Sequence, residues 1–312
     1  MIAYLETTKG FQSLPEWQPN CWVRVECPTL EEAELLTRSF KVPPSFLNDI
    51  SDVDERPRTE MDDDWQLIIL RIPHQSEDRS MPFITVPLGI VICNDVLITV
   101  CYFPTTILSD FVSHKIRKGI GIHDFFEFFL RLQISSSVWY LKDLKQINHQ
   151  IRIAENQLER SIKNRELQSL LQIEKSLVFF VTSLKGNSIL LTKVKMSRLG
   201  KGRNRDDEIQ ELIEDAETEA QQAIEMANIY SDILSGMMDA FASLISNNLN
   251  VILKRLTSIS IILMIPTLVA SLYGMNVPNA LENSPLGFFS VCLGSFSLAF
   301  VAILLFRRRN WF

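Results

Sequence analysis

"LVASLYGMNVPN", residues 268–279, lies between the two most apolar segments of the chain. It opens aliphatic, breaks at Gly274 and Asn276, and reaches a proline at Pro278 without a single charge. The identity of the flanking segments decides how the whole chain is built. Residues 256–273 contain no charged side chain, and neither does "LGFFSVCLGSFSLAFVAILLF" at 286–306. A helix needs roughly 20 apolar residues to cross a hydrocarbon core. The sequence therefore predicts transmembrane helices at 256–273 and 287–306, joined by an external loop at 274–286. Two uncharged runs of this length side by side argue against a buried hairpin in a soluble core.

Charge gives the orientation. Lys254 and Arg255 precede the first run, and Arg307, Arg308 and Arg309 open the basic tail at 307–312. The loop has no Lys or Arg and one acid, Glu282. Basic excess marks the cytoplasmic side, so both termini are expected in the cytoplasm of an integral plasma- or inner-membrane protein in contact with lipid. The start, "MIAYLETTKGFQSLPEW", lacks the basic and apolar regions of a signal peptide.

Several function classes lose support. The five cysteines, at 21, 27, 93, 101 and 292, form no C-x-x-C pair, and the four histidines are dispersed at 74, 114, 123 and 149. That pattern suits reduced thiols and gives no structural zinc site. A net charge of −6 does not suit nucleic acid. No G-x-x-x-x-G-K-[ST] loop is present for nucleotide-driven pumping. No acid or histidine lies within either run to relay protons. No Ser/His/Asp or Cys/His arrangement can be argued, so the chain is read as a non-enzyme with no protein partner other than itself.

Residues 1–135 read as a cytoplasmic α/β domain. "NCWVRVECP" (20–28), "WQLIILRIP" (65–73) and "ITVPLGIVICNDVLITVCYF" (84–103) are β-branched runs broken by Pro, Gly and Asn-Asp, as strands are. "TLEEAELLTRSF" (29–40) predicts a helix with a capping box between Thr29 and Glu32. Residues 136–205 read as a helical hairpin. From Asp206 to Tyr273 nothing breaks the helical pattern before Pro266. Ile209, Leu212, Ala216, Ala220, Ala223, Ala227, Tyr230, Ile233, Met237, Phe241 and Leu244 form one apolar stripe. The pattern predicts a stalk helix at 206–255 running straight into the first span, roughly 100 Å in total at 1.5 Å per residue. A helix of that length needs neighbours, which predicts an oligomer of parallel stalks.

A second stripe follows the same helix: Asp239, Ser243, Ser246, Asn250, Leu253, Leu256, Ser260, Met264, Thr267 and Ser271. Small and hydroxyl residues on one face serve as helix-packing contacts or line a pore. Continuation to Asn250 and Asp239 favours the pore, because an acid at a pore mouth concentrates cations. Leu253 and Leu256 then form apolar constrictions that gate by dewetting. Ile259, Ile262, Leu263, Ile265 and Val269 are left to face lipid. Gly274 is expected to end the helix in a left-handed cap. Asn276 places a neutral carboxamide above the pore axis. Mg²⁺ keeps several of its waters when bound, and a ring of amides suits such an ion better than a ring of carboxylates, which would bind tighter and release more slowly.

"YGMN" (273–276) at the end of the first span, the short external loop, the second span and the basic tail "RRRNWF" together resemble the CorA family of magnesium channels. "SDVDERPRTEMDDDWQLIILRIP" (51–73) and "SGMMDAFASLISNNLNVILKRLT" (235–257) also resemble family segments. The resemblance implies a homopentameric funnel with first spans around one central pore and second spans outside them. It implies a selectivity filter of Gly274, Met275 and Asn276, with pore-lining positions at Asn250, Leu253, Leu256, Met264, Thr267 and Ser271, to which the stripe adds Ser260. Leu253 stands where methionine is often found and Ser271 where glycine is usual, while Pro266 comes one place later than the common Met-Pro pair. Asp239 matches the acid at the inner mouth. Asp215 falls at the stalk position that joins a regulatory Mg²⁺ site between subunits, with Asp110 as candidate partner. Mg²⁺ is thus expected both as cargo and as regulator. Transport of Co²⁺, Ni²⁺ or Zn²⁺ is the alternative, though softer metals prefer His or Cys; a membrane-tethered scaffold is the reading from another class.

Overall fold

In β5 (Trp65–Gln75) successive apolar side chains divide between two cores. Leu67 and Ile69 join a cluster with Leu36, Phe46 and Ile50, while Ile68, Leu70 and Ile72 join one with Phe111, Phe128 and Leu132. Side chains alternate across a strand, and a strand covered on both faces reads as a continuous apolar run. The computed structural model describes residues 1–7, 11–76, 78, 80–118, 122, 124–160, 164–199, 207–275, 286–309 and 311. Its contacts divide the chain into two units, Met1–Gly236 and Met237–Phe312.

The first unit contains one seven-stranded sheet. Besides β5 it comprises β1 (Ile2–Glu6), β2 (Ser13–Leu14), β3 (Cys21–Glu26), β4 (Arg58–Asp62), β6 (Phe83–Cys93) and β7 (Val96–Cys101), in the order β2-β1-β3-β7-β6-β5-β4. Only the β3–β7 pairing is parallel, with Trp22 opposite Leu97. The Asn94-Asp95 break expected from sequence is the turn joining β6 to β7, and Asn94 takes a positive φ of 45° there.

Helices α1 (Leu30–Ser39) and α2 (Pro44–Ser51) cover one face. The predicted capping box is present: Glu32 N–H donates to Thr29 Oγ1 at 3.2 Å, and Thr29 N–H donates to Glu32 Oε2 at 3.0 Å. Gly89 of β6 lets α2 approach, since a Cβ there would stand 2.2 Å from Ile50 Cδ1. The other face carries α3 (Thr106–Lys118), α4 (Phe125–Arg160), α5 (Asn164–Leu199) and the start of α6 (Asp207–Tyr273). Helix α4 crosses position 135 unbroken, because Phe128, Phe129, Leu132, Tyr140 and Leu144 keep one buried face in helical period.

On α6 the predicted stripe is buried at Leu212, Ala216, Ala220, Ala223 and Ala227. Beyond Tyr230 it shifts: Leu234 is buried and Ile233 is 48% exposed. Seven-residue steps from Ala227 lead to Leu234 and Phe241, both buried, where strict three- and four-residue spacing had selected Ile233.

Among the described residues three helical stretches are long and apolar enough to cross a membrane: 167–197 in α5, α6, and α7 (Gly287–Arg308). The α5 stretch buries Ile173, Leu177, Phe180, Leu184, Asn187, Leu191 and Val194. Those positions return every three or four residues, as in a helix lying on a protein core. In α7, by contrast, Phe288, Phe289, Leu293, Phe296 and Phe300 are all exposed.

Candidate functional site

Within Met237–Phe312, α6 and α7 share a seam. Ser258 of α6 is buried, and Ile262, Ile265, Pro266, Val269 and Tyr273 are half-buried. On α7 the buried positions are Gly287, Ser295 and Ala299, all small residues. Successive residues turn by about 100° around a helix. Leu253, Leu256, Ser260, Met264, Thr267 and Ser271 therefore fall on the side of α6 away from this seam, and all six are exposed. Asn250 and Asp239, also exposed, lie toward its edge. Met264, Thr267 and Ser271 help line a shallow groove of about 450 Å³ with Ile261, Ile265 and Leu268.

The aliphatic face expected to meet lipid is corrected in part. Ile259 and Leu263 are exposed, but Ile262, Ile265 and Val269 sit half-buried on the seam side. The reason is α7, whose small residues take up that side of the helix.

The hydroxyls of the stripe are anchored to their own helix. Ser260 Oγ donates to Leu256 O at 3.0 Å, and Thr267 Oγ1 donates to Leu263 O at 3.0 Å. Each hydroxyl proton is thereby used, and the oxygen lone pairs remain as acceptors.

Helix α6 ends at Tyr273, as the sequence predicts, but not by a left-handed glycine. Gly274 has an ordinary backbone conformation, and its N–H donates to Ala270 O at 2.9 Å. A Cβ at this position would lie 3.3 Å from Ala270 O, a tight contact that a small shift would relieve. Met275 is exposed, and Asn276 lies outside the described residues.

The predicted acids do not converge in one chain. Asp215 is exposed on α6. Asp110 on α3 accepts a hydrogen bond from Trp139 Nε1 at 3.2 Å. Asp239 belongs to the other unit. Among the described residues no group of three or more His, Cys, Asp or Glu side chains could hold a metal ion.

Sequence reasoning passed over Asp143. It is 2% exposed at the base of a cleft of about 490 Å³ lined by His74, Gln75, Thr106, Trp139 and Lys142. Its Oδ1 accepts from Gln75 Nε2 at 2.8 Å. The available signal was its position, since Tyr140, Asp143, Leu144 and Ile147 share the core face of α4. Burial pushes its carboxyl above the usual range, and Gln75 and Lys142 only partly offset this. A raised folded-state pKa favours the protonated form, so its contribution to stability is full below the unfolded pKa and is lost as pH rises through the folded one. Asp143→Asn is therefore expected to raise the melting temperature at neutral pH and to leave it nearly unchanged at acid pH. Thermal unfolding measured across pH checks this; equal shifts at both ends contradict it.

A sequence model of the family described as "CorA-like Mg2+ transporter protein" matches residues 17–308. The "Cobalt/magnesium transport protein CorA" of Methanocaldococcus jannaschii is 29% identical over 299 residues, covering 93% of this chain and 90% of that protein. The protein of the same description from Thermotoga maritima is 24% identical over 292 residues, covering 87% of this chain and 77% of that one. A solved structure, "The complete structure of CorA magnesium transporter from Methanocaldococcus jannaschii", superposes with a TM-score of 0.84 at 26% identity, covering 100% of this chain and 99% of that chain. With an α/β soluble unit, long helices and a family match over most of its length, this chain belongs to the CorA family of Mg²⁺ transporter-like proteins.

Proposed function

We propose that this protein carries Mg²⁺, and with it Co²⁺, into the cytoplasm through a pore at the centre of a homopentameric funnel. The observation that carries this reading is the exposed stripe of α6 from Leu253 to Ser271. It lies away from the α7 seam, presents acceptor oxygens, and leads to Gly274, Met275 and Asn276. The relatives named as cobalt and magnesium transport proteins support the choice of ion. Two spans, 256–273 and 287–306, would put both termini on one side, and the basic residues flanking them assign that side to the cytoplasm. The α/β domain (1–135), hairpin (136–205) and stalk (206–255) would then be cytoplasmic, with 307–312 as the tail.

Copies are needed because one helix pair encloses no path. Five α6 stripes facing one axis would surround a column of water, with α7 and lipid outside. Asp239 would gather cations at the inner mouth, and Leu253 and Leu256 would dewet to close it. Inward movement of a divalent ion gains roughly 4.6 kcal/mol per 100 mV of membrane potential, so no nucleotide is required. Cysteines placed at 260, 264, 267 and 271, in a background without Cys27, Cys93 and Cys292, are expected to react with a charged thiol reagent. Cysteines at 262 and 269 are expected not to. Equal reaction at both sets would sink the pore assignment.

Gating follows from the exposed carboxylates. Asp215 of one copy facing Asp110 of another would repel when bare and bridge through Mg²⁺ when occupied, holding the funnel shut at high internal Mg²⁺. Asp215→Ala is expected to weaken inhibition of flux by internal Mg²⁺ at least tenfold, read from the concentration giving half inhibition. Unchanged inhibition would remove Asp215 from the sensor.

A further inference from the structure

The last turn of α7 carries an ordered cluster of cations that ion conduction does not require. Arg309 N–H donates to Leu305 O at 3.1 Å, and Trp311 N–H folds back onto Phe306 O at 3.1 Å. The Trp311 ring stacks on Phe306 at 5.3 Å between centroids and 19° between planes. The turn is thus closed, not frayed, and Arg307, Arg308 and Arg309, all exposed, fan out around the helix end at about 100° steps.

Helix α6 supplies two more cations at the same level. The seam residues run from Ser258 to Tyr273 on α6 and from Gly287 to Phe306 on α7. Two successive spans run antiparallel across a membrane, so the Ser258 end of α6 and the Phe306 end of α7 lie at the same membrane level. Lys254 and Arg255, one turn beyond Ser258, are then level with the arginine turn, and both are exposed. The described residues of 240–311 include these five cations and no Asp or Glu. Arginine forks match phosphate bidentately, and a tryptophan beside them is suited to the headgroup layer.

We propose that Lys254, Arg255, Arg307, Arg308, Arg309 and Trp311 form a binding surface for the phosphate headgroups of anionic phospholipids in the cytoplasmic leaflet. The inference rests on the membrane-spanning reading above and adds a lipid class to it. Basic clusters next to a span select anionic lipid over zwitterionic lipid, each cation contributing severalfold.

The test uses the full chain in phosphatidylcholine vesicles. Brominated phosphatidylglycerol or brominated phosphatidylcholine is titrated in, and quenching of Trp311 fluorescence is measured against a Trp311→Phe control. Wild type is expected to prefer phosphatidylglycerol. Arg307→Gln/Arg308→Gln/Arg309→Gln is expected to lower that preference roughly 100-fold. Lys254→Gln/Arg255→Gln, which leaves the tail intact, is expected to lower it by about tenfold or more. Lysine at the three arginine positions is expected to keep most of it. No preference in wild type, or a preference unchanged in the glutamine variants, would overturn the proposal. So would binding of inorganic phosphate without any lipid preference, which would identify a free anion as the ligand. Flotation with the vesicles is scored in parallel: a chain that fails to float refutes the membrane reading, whereas one that floats without lipid preference refutes only this inference.

Discussion

Asn276→Ala is expected to reduce Mg²⁺ uptake to the level of protein-free vesicles while leaving the oligomer intact. The expectation combines a helix end and an ion's chemistry. Tyr273 closes α6, and the Gly274 N–H still bonds to Ala270 O at 2.9 Å, so Asn276 follows three residues after the last helical turn in sequence. Mg²⁺ gives up water reluctantly. A neutral amide oxygen can accept from that water shell, and alanine cannot. Nothing else in "YGMNVPN" offers a side-chain acceptor of that kind before Asn279. Asn276→Asp is the informative companion: a carboxylate ring would hold the ion longer, giving tighter block and slower flux. Flux in Asn276→Ala at the wild-type rate would remove the filter from this position. Loss of the oligomer in the same variant would show that the residue acts on assembly instead.

Arg71→Met is expected to destabilise the Met1–Gly236 unit by about 3–5 kcal/mol, enough to unfold a marginal domain. Arg71 lies in β5 and is 5% exposed. Its guanidinium donates to the carbonyls of Val53, Glu55 and Thr85 and to Thr85 Oγ1, the Glu55 bond being 2.9 Å long. Its own backbone is held from α5 and α4. Asn187 Nδ2 donates to Arg71 O at 2.7 Å, and Tyr140 Oη donates to it at 3.1 Å. Burial disfavours the charge, and Asp54, Asp52 and Glu55 partly offset this. Methionine fills similar volume but leaves those carbonyls without donors. The loop at 52–57 would then detach from the sheet and from α5, where Pro57 already packs so close that a Cβ on Gly186 would lie 2.8 Å from its Cγ. Lysine cannot reproduce the forked donors and should recover only part of the loss. Thermal unfolding with limited proteolysis at 52–57 measures both effects; a melting temperature within a degree of wild type would contradict the assignment.

These residues mark where sequence reading stops. Strands β3, β5, β6 and β7 were legible because both faces of the sheet are covered, so their apolar runs are continuous. The capping box was legible because its two residues are three apart. Strands β1, β2 and β4 were not assigned: β2 and β4 are the sheet edges, and β1, beside β2, is short, so all three carry little burial pattern. The α6 stripe was legible as spacing, but which of its faces meets α7 depends on Gly287, Ser295 and Ala299, residues far along the chain. The end of α6 at Gly274 was read correctly in place, but the helix stops there without the left-handed turn that glycine suggested. Arg71 and Asp143 were invisible for a related reason: a polar residue inside an apolar run reads as an interruption until its partners are known.

The central claim is selective passage of a hydrated divalent cation, and flux answers it most directly. The full chain is reconstituted into vesicles loaded with a Mg²⁺-sensitive dye, and a potassium gradient with valinomycin sets the interior negative. Mg²⁺ entry is expected to rise with the imposed potential, to stop in Asn276→Ala, and to exceed Zn²⁺ entry, with Co²⁺ carried as well. A chain that inserts and forms pentamers yet passes no Mg²⁺ at any potential, or that passes Zn²⁺ in preference, would contradict the account.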